Sequence, residues 1–309
     1  MKPLRQALAD YLVLRRNMGY KLTNQERLLR QFLDYLEGRG EERISTEQAL
    51  IWATLPGGDR AWHYNRLQAV RGFARYLHSI DPQVEVPGTD LLPRQRRRAV
   101  PYLYDDAQVA SLMAAAATLR TTHRAATYRT LIGLLAVTGM RIGEAIGLNC
   151  EDIDWRACSI TVRLGKFSKS RELPTHKSTL SALRDYLLRD DRPSPVRDSE
   201  PLLVSMAGTR LLHACVENTF RILIKRAGIT PRTGACRPRL HDLRHSFAVQ
   251  TLLDAYRRGE DAQKQVVALL STYMGHVDPA GTYWYLQAAP ELLAFAGQRL
   301  EAYAQGGTR

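Results

Sequence analysis

Two short motifs in the second half of the chain carry residues that could bind an anion and move a proton. In TGMRIGE, Arg141 stands at the start of a predicted helix, where a cation opposes the helix dipole, so we expect this arginine to serve a purpose there. Glu144, one turn later, could orient the guanidinium. In HDLRH, His241 and Arg244 are three residues apart and share one face of a predicted helix. The pair combines a titratable proton carrier with a permanent, forked cation.

Two further motifs add a proton donor and a nucleophile. Lys166 and Lys169 lie in the turn GKFSKS between two predicted strands, from which a lysine can enter a site and donate a proton. His276 is followed nine residues later by Tyr285, across a bend that contains Pro, Ala and Gly. A phenol becomes a usable nucleophile when nearby cations stabilise its phenolate.

Together these side chains suit phosphoryl transfer without a metal. Arginine forks neutralise the charge that grows on non-bridging phosphate oxygens. A phosphotyrosine link would conserve the energy of a broken phosphodiester, so strands could be rejoined without ATP. No cluster of acids suited to Mg²⁺ is visible. We therefore expect no metal and no cofactor.

A zinc hydrolase is the alternative for HDLRH, which has the His-x-x-x-His spacing of such enzymes. Asp242 would then stand where a glutamate normally acts as the base. That motif also needs a third ligand, and Arg244 beside a dication would be electrostatically unfavourable. The sequence thus favours the metal-free chemistry.

The whole chain is basic, which indicates a polyanionic partner. It has 309 residues, with 44 Lys and Arg against 31 Asp and Glu, and a net charge of +13. Residues 1–100 carry 17 basic and 11 acidic side chains and residues 101–309 carry 27 and 20, so the charge is not confined to a tail. Nucleic acid is the commonest polyanion that a protein meets.

The composition also excludes several classes of protein. A content of 45% hydrophobic and 24% charged residues argues against disorder and a collagen-like repeat, and four irregularly spaced cysteines without a CxxC pair argue against a disulfide framework. The longest apolar run, residues 131–137, is far short of the roughly 20 residues of a membrane span. No apolar stretch of a signal peptide follows the first residues. We expect a cytoplasmic protein that does not contact a membrane.

The periodicity predicts a mainly α fold with a small β-sheet (α+β). Residues 1–81 predict a bundle of four helices, and Thr23 with Glu26 predicts a capping box at the start of the second. Residues 102–309 are mostly helical, with Tyr104-Asp105-Asp106 capping the first helix and a two-stranded hairpin over residues 159–174.

A linker rich in proline and arginine, residues 82–101, separates these two domains. We expect its arginines, together with Lys169 of the hairpin turn, to contact the polyanion. The linker arginines are Arg94, Arg96, Arg97 and Arg98.

In their order, TGMRIGE, HDLRHSFA and MGH followed by Tyr285 resemble the motifs of the tyrosine recombinases, the phage-integrase family. The resemblance spans nearly the whole chain: a helical, SAM-like core-binding domain, a basic linker and a catalytic domain. It implies a site-specific recombinase that cuts and rejoins double-stranded DNA through a 3′-phosphotyrosyl intermediate, as in integration, excision or transposition. It also implies a tetramer of four protomers that joins two duplexes.

The resemblance implies a role for each motif residue. Arg141 and Arg244 would clamp the scissile phosphate, and Glu144 would support them. His241 would handle the proton of the nucleophile, and His276 would hydrogen-bond the phosphate or assist.

The leaving group and the nucleophile follow in the same way. Lys166 would protonate the departing 5′ oxygen, and Tyr285 would attack the phosphate. The family's turn is commonly Gly-Lys-Gly-x-Lys-x-Arg, and Phe167 at its second glycine keeps Lys169 as an alternative to Lys166. Tyr283 is the alternative nucleophile, and the spacing favours Tyr285.

Two other functions remain alternatives for this chain. A topoisomerase of type IB would relax supercoils without a specific sequence, and a regulator of the same fold would bind DNA without cutting it. The polar stretch 257–264 has no functional explanation. The last helix, residues 292–300, could dock on a neighbouring protomer or on its own domain.

Overall fold

The computed structural model describes residues 3–55, 57–93, 100–163, 170–195, 200–258 and 265–275. Over these ranges the protein is mainly helical with one small antiparallel sheet, so the predicted fold class is confirmed. The chain divides into two compact units, residues 1–98 and 99–309. The three predicted segments, 1–81, 82–101 and 102–309, stay a prediction.

The first unit is a bundle of four helices whose apolar faces form one core. Phe32 and Phe73 are the largest side chains that are fully buried in it. The segment after the last helix also belongs to this unit, because Val84 is buried in the core and Arg71 donates to the carbonyls of Pro87 and Gly88. The four helices are α1 (Leu4–Asn17), α2 (Thr23–Glu37), α3 (Thr46–Thr54) and α4 (Arg60–His78).

The start of α2 contradicts the predicted capping box. Thr23 is the first helical residue, and Leu22 precedes it in the left-handed conformation with φ 49°. The carboxylate of Glu26 accepts hydrogen bonds from Arg30 and Arg16 instead of capping the helix. These bonds, first that from Arg30, lower the pKa of Glu26. The prediction was wrong because the carboxylate of Glu26, which a capping box requires, is engaged in ion pairs with Arg16 and Arg30.

The second unit contains, among its described residues, seven α-helices, one short 3-10 helix (Cys150–Asp152) and one three-stranded sheet. The helices are α5 (Asp106–Ala117), α6 (Thr122–Thr138), α7 (Ile142–Ala145), α8 (Lys177–Leu187), α9 (His213–Arg226), α10 (Asp242–Arg257) and α11 (Val267–Met274). The strands are β1 (Ile153–Asp154), β2 (Ser159–Val162) and β3 (Arg171–Pro174). Both Asp105 at the start of α5 and the pairing of β2 with β3 agree with the sequence prediction, whereas β1 was not predicted.

Packing around α6 brings the motif residues together. This helix packs against α5, α8 and α10, and α11 packs against β3. Ile160 of β2 and Leu173 of β3 face each other and are both fully buried.

In the described part of the chain, no helix has the length and apolar character needed to cross a membrane.

Candidate active site

Two arginines from distant parts of the chain meet at the end of α11. Arg244 Nη2 donates to the carbonyl of Met274 at 2.6 Å, and Arg141 Nη2 donates to the carbonyl of Gly275 at 3.0 Å. Arg244 Nη1 also donates to the carbonyl of Gly139, at the end of α6, at 2.7 Å. The carbonyls at a helix C-terminus carry the negative end of the helix dipole and lack partners within the helix, so they bind cations well.

The two arginines differ in exposure. Arg244 is only 2% exposed, and a buried charge persists in a protein only where hydrogen bonds compensate for its lost hydration. The side chain of Arg141 is 25% exposed and is therefore partly open to the solvent. Arg244 is thus held firmly by the fold, and Arg141 is the more accessible of the two arginines.

The carboxylate of Glu144 accepts hydrogen bonds from both the side chain and the backbone of Arg141. Oε1 accepts from Arg141 Nη1 at 2.7 Å, and Oε2 accepts from the backbone N–H of Arg141 at 2.8 Å. Burial raises the pKa of Glu144, but hydrogen bonds from Arg171 and Arg141 outweigh burial and bring the pKa to about 2. Glu144 is thus ionised at neutral pH, and its two bonds to Arg141 orient the guanidinium.

Arg171, the first residue of β3, completes this arrangement and was missed by the sequence analysis. Its guanidinium donates to both oxygens of Glu144, at 3.1 and 2.8 Å, and to the carbonyl of Tyr273 at 2.7 Å. Three successive carbonyls of α11 and its cap, those of residues 273, 274 and 275, therefore each accept a hydrogen bond from a different arginine. One signal could have found Arg171, since it occupies the last position of the family's turn pattern Gly-Lys-Gly-x-Lys-x-Arg.

His241 precedes α10 and lies within the field of several guanidiniums. The ring is exposed to solvent on part of its surface, yet the protein around it removes hydration. This desolvation, followed by the charges of Arg244, Arg141 and Arg239, lowers its pKa to about 4. A pKa below neutrality means that the imidazole is uncharged at pH 7 and has a nitrogen lone pair available, although a lowered pKa also makes the ring a weaker base. Its ring also contacts the ring of His245 edge to face, at a centroid distance of 4.7 Å.

Asp242, the acid of HDLRH, anchors the start of α10. It is fully buried, and it accepts hydrogen bonds from the backbone N–H, Nε and Nη2 of Arg239 at 2.9, 3.1 and 3.0 Å. Burial raises its pKa, and the bonds from Arg239 oppose that rise. Asp242 is thus not available as the general base that a zinc hydrolase requires. Among the described residues, no three His, Cys, Asp or Glu side chains form a group that could bind a metal.

Position 139 requires a glycine, both because of its backbone conformation and because a side chain there would have no space. It ends α6 with φ 59°, and a Cβ on it would lie 2.3 Å from Cδ1 of Phe247. Phe247 in turn stacks on Tyr273 at a centroid distance of 5.6 Å. The close approach of α6 to α10 places the carbonyl of Gly139 against Arg244.

We expect Gly139→Ala to lower the free energy of unfolding by about 3 kcal/mol, since a left-handed alanine costs roughly 1–2 kcal/mol and overpacking against Phe247 adds roughly 1–3 kcal/mol. Urea denaturation measures the loss. Gly143→Ala is the matched control, because Gly143 lies in the same motif, in α7, with nothing within 4 Å of an added Cβ. Equal stabilities of the two variants would contradict the explanation.

The other predicted site residues lie outside the described residues, and their roles stay predictions. Those of the hairpin turn and the C-terminal segment are Lys166, Lys169, His276 and Tyr285. Those of the linker are Arg94, Arg96, Arg97 and Arg98. Of the predicted residues, the structure therefore brings together Arg141, Glu144, His241 and Arg244.

Comparison with known proteins finds similarity over the whole chain. The model of the phage integrase family matches residues 103–291. A protein of Sinorhizobium fredii (strain NBRC 101917 / NGR234), designated integrase/recombinase y4rB, is 41% identical over 308 residues, which cover 97% of this chain and 98% of that protein. This relative spans both units of the chain.

Two solved structures share the fold. The Tn1549 transposon integrase in complex with transposon right end DNA aligns with a TM-score of 0.65 and 17% identity, over 98% of this chain and 99% of that one. A lambda integrase tetramer bound to a Holliday junction aligns with a TM-score of 0.61 and 16% identity, over 91% of this chain and 76% of that one. The small sheet within a mainly helical chain is thus a known architecture.

Proposed function

The chain belongs to the phage integrase family, the tyrosine recombinases, and we propose that it cuts and rejoins duplex DNA through a 3′-phosphotyrosyl link on Tyr285. It is a site-specific recombinase and therefore an enzyme. One observation carries the proposed mechanism. Arg244 and Arg141, 103 residues apart, donate to the adjacent carbonyls of Met274 and Gly275, within the electrostatic reach of an uncharged His241.

The two guanidiniums bind the non-bridging oxygens of the scissile phosphate and stabilise the charge that grows there. His241 accepts the proton of the Tyr285 phenol. The phenol oxygen then forms a bond to phosphorus as the bond from phosphorus to the 5′ oxygen breaks, and Lys166 donates a proton to that oxygen. The products are a 3′-phosphotyrosyl bond and a free 5′-hydroxyl. A hydroxyl of the partner strand reverses the step, with the protons returned to Tyr285 and Lys166.

The positions of the remaining residues along the chain are consistent with these roles. His276 follows directly on Gly275, whose carbonyl binds Arg141, so the chain continues from the arginine site into the segment that carries His276 and Tyr285. Arg171, five residues after Lys166, belongs to the same arginine site. Lys169 is nearer still in sequence, and we assign it to DNA binding together with the linker arginines.

The proposed partner is double-stranded DNA, and the proposed assembly is a tetramer on two duplexes. The net charge of +13 over both halves of the chain favours binding along a polyanion. Lambda integrase, which shares the fold, has been solved as a tetramer on a Holliday junction. We propose integration, excision or transposition of a mobile element as the biological role, and the cytoplasm as the location of the protein.

A recombinase is favoured over a type IB topoisomerase and over a regulator without catalysis. The relative that spans 97% of the chain is designated an integrase/recombinase. An arginine site with Arg141 still open to solvent is what phosphate chemistry requires.

The test is covalent trapping on a nicked suicide substrate built from the DNA that flanks the gene, once that DNA has been searched for inverted repeats and footprinted with the protein. We expect the wild-type protein to become linked to the 3′ end of the cleaved strand, and peptide mapping to place the link on Tyr285. EDTA should leave the yield unchanged, because no step uses a metal. A link to the 5′ end, or loss of the complex in EDTA, would contradict the proposed function.

A further inference from the structure

We propose that Arg171 is a positioning residue for strand cleavage, which fixes Glu144 and the end of α11 so that Arg141 is presented to the scissile phosphate. This inference rests on the proposed function and assigns a role within the same site. Arg171 does not touch the phosphate in this proposal. It acts through Glu144, through the carbonyl of Tyr273 and through its contact with Gly275.

Arg171 connects three separate elements. Its guanidinium binds Glu144 of α7 in a two-pronged contact and the carbonyl of Tyr273 in α11, while its backbone begins β3. The Arg171 side chain is 13% exposed and that of Glu144 is 7% exposed, so the pair is shielded from water. A shielded, bidentate pair is geometrically specific, unlike an exposed ion pair.

Glu144 is shared between Arg171 and Arg141, which makes the two arginines dependent on each other. Burial alone would raise the pKa of Glu144, and the hydrogen bonds from Arg171 are the largest influence that lowers it. Without Arg171, the pKa of Glu144 rises and the carboxyl becomes protonated at a higher pH. A neutral carboxyl binds a guanidinium less strongly, so Arg141 loses its orientation as the pH falls.

A second connection runs through the glycine that follows α11. Gly275 has φ 65°, and a Cβ on it would lie 3.0 Å from Nη1 of Arg171. The backbone therefore passes directly against the Arg171 guanidinium at the residue whose carbonyl binds Arg141. The side chain of Arg141 binds Glu144 and the carbonyl of Gly275, and Arg171 touches both of these residues.

The same hairpin offers a matched control. Arg163, just after β2, also pairs with a shielded carboxylate, that of Asp152, but its own side chain is 57% exposed. Asp152 accepts a further bond from the backbone N–H of Asn149 rather than from an arginine of the site. Arg163→Gln therefore removes an arginine–carboxylate pair from this hairpin without affecting the site around Arg141.

The experiment compares Arg171→Gln, Arg171→Lys and Arg163→Gln with the wild type in single-turnover cleavage of the suicide substrate. DNA is saturating, the pH runs from 5 to 8, and circular dichroism verifies folding at the assay temperature. We expect Arg171→Gln to slow cleavage about 100-fold while its Kd for DNA changes only a few-fold, since small misplacements of catalytic groups have effects of this size. Its rate should fall further toward pH 5, where the wild-type rate depends much less on the ionisation of Glu144.

Arg171→Lys should recover part of the rate and return the pH profile toward that of the wild type, because it restores a cation beside Glu144. Arg163→Gln should cleave within about twofold of the wild type. The inference is overturned if Arg171→Gln cleaves as fast as Arg163→Gln, or if it cleaves slowly with an unchanged pH profile and no recovery with lysine. If the wild type and Arg163→Gln also form no covalent complex, the proposed function itself fails.

Discussion

Replacing Tyr285 by phenylalanine should abolish covalent attachment to nicked DNA and leave the Kd for DNA within about twofold of the wild type. The substitution removes only the phenol oxygen, which forms the bond to phosphorus, and keeps the aromatic ring. Covalent trapping on the suicide substrate measures attachment, and gel-shift titration measures binding.

Tyr283→Phe is the matched control, because Tyr283 lies two residues away and is the alternative nucleophile. It should be trapped as efficiently as the wild type. If Tyr283→Phe abolished trapping and Tyr285→Phe did not, the nucleophile would be Tyr283 and the assignment from the nine-residue spacing would be wrong.

Arg244→Ala should slow cleavage by about 10³-fold, since a lost donor at a developing oxyanion costs roughly 10²–10³ in rate, or about 3–4 kcal/mol, and arginine supplies two donors. Arg141→Ala should slow cleavage by a similar factor. The measurement is the single-turnover rate with saturating DNA.

The two arginine variants should differ in stability. Arg244 is 2% exposed and its removal leaves the carbonyls of Gly139 and Met274 without this partner, each at a cost of about 1–3 kcal/mol. Arg141 is partly exposed, so Arg141→Ala should unfold closer to the wild type. Arg226→Gln, which removes an exposed arginine bound to Thr118, is a control for loss of positive charge. Cleavage by folded Arg244→Ala within tenfold of the wild-type rate would contradict the phosphate clamp.

Local patterns in the sequence predicted much of this fold. Helical spacing located the four helices of the first unit and α5 and α6 of the second, and the strands β2 and β3 were found where their residue types indicated. These features depend on neighbours along the chain. The ordered motifs also predicted the family, because residue types that meet in space stand in a recognisable order in the sequence.

The parts that were not predicted depend on contacts between distant segments. The capping box at Thr23 failed because Arg16, on another helix, competes for Glu26. β1 has two residues and no periodicity of its own, so only its pairing with β2 defines it. The family's turn pattern marks the position of Arg171, but its partners in α7 and α11 become known only from the fold.

The groups that position the arginines are also invisible to any motif. Met274, Gly275 and Gly139 contribute backbone carbonyls, which every residue possesses, and only the fold determines which carbonyls face a guanidinium. The sequence could therefore predict which side chains take part in the site. It could not predict what orients them.

The eight-residue helix α11 has a consequence for control of the enzyme. Because the consecutive carbonyls of Tyr273, Met274 and Gly275 each bind a different arginine, a shift of this one helix end by an ångström or so would loosen all three guanidiniums simultaneously. A displacement of α11 would therefore lower the rate of strand cleavage without any contact with the reacting atoms.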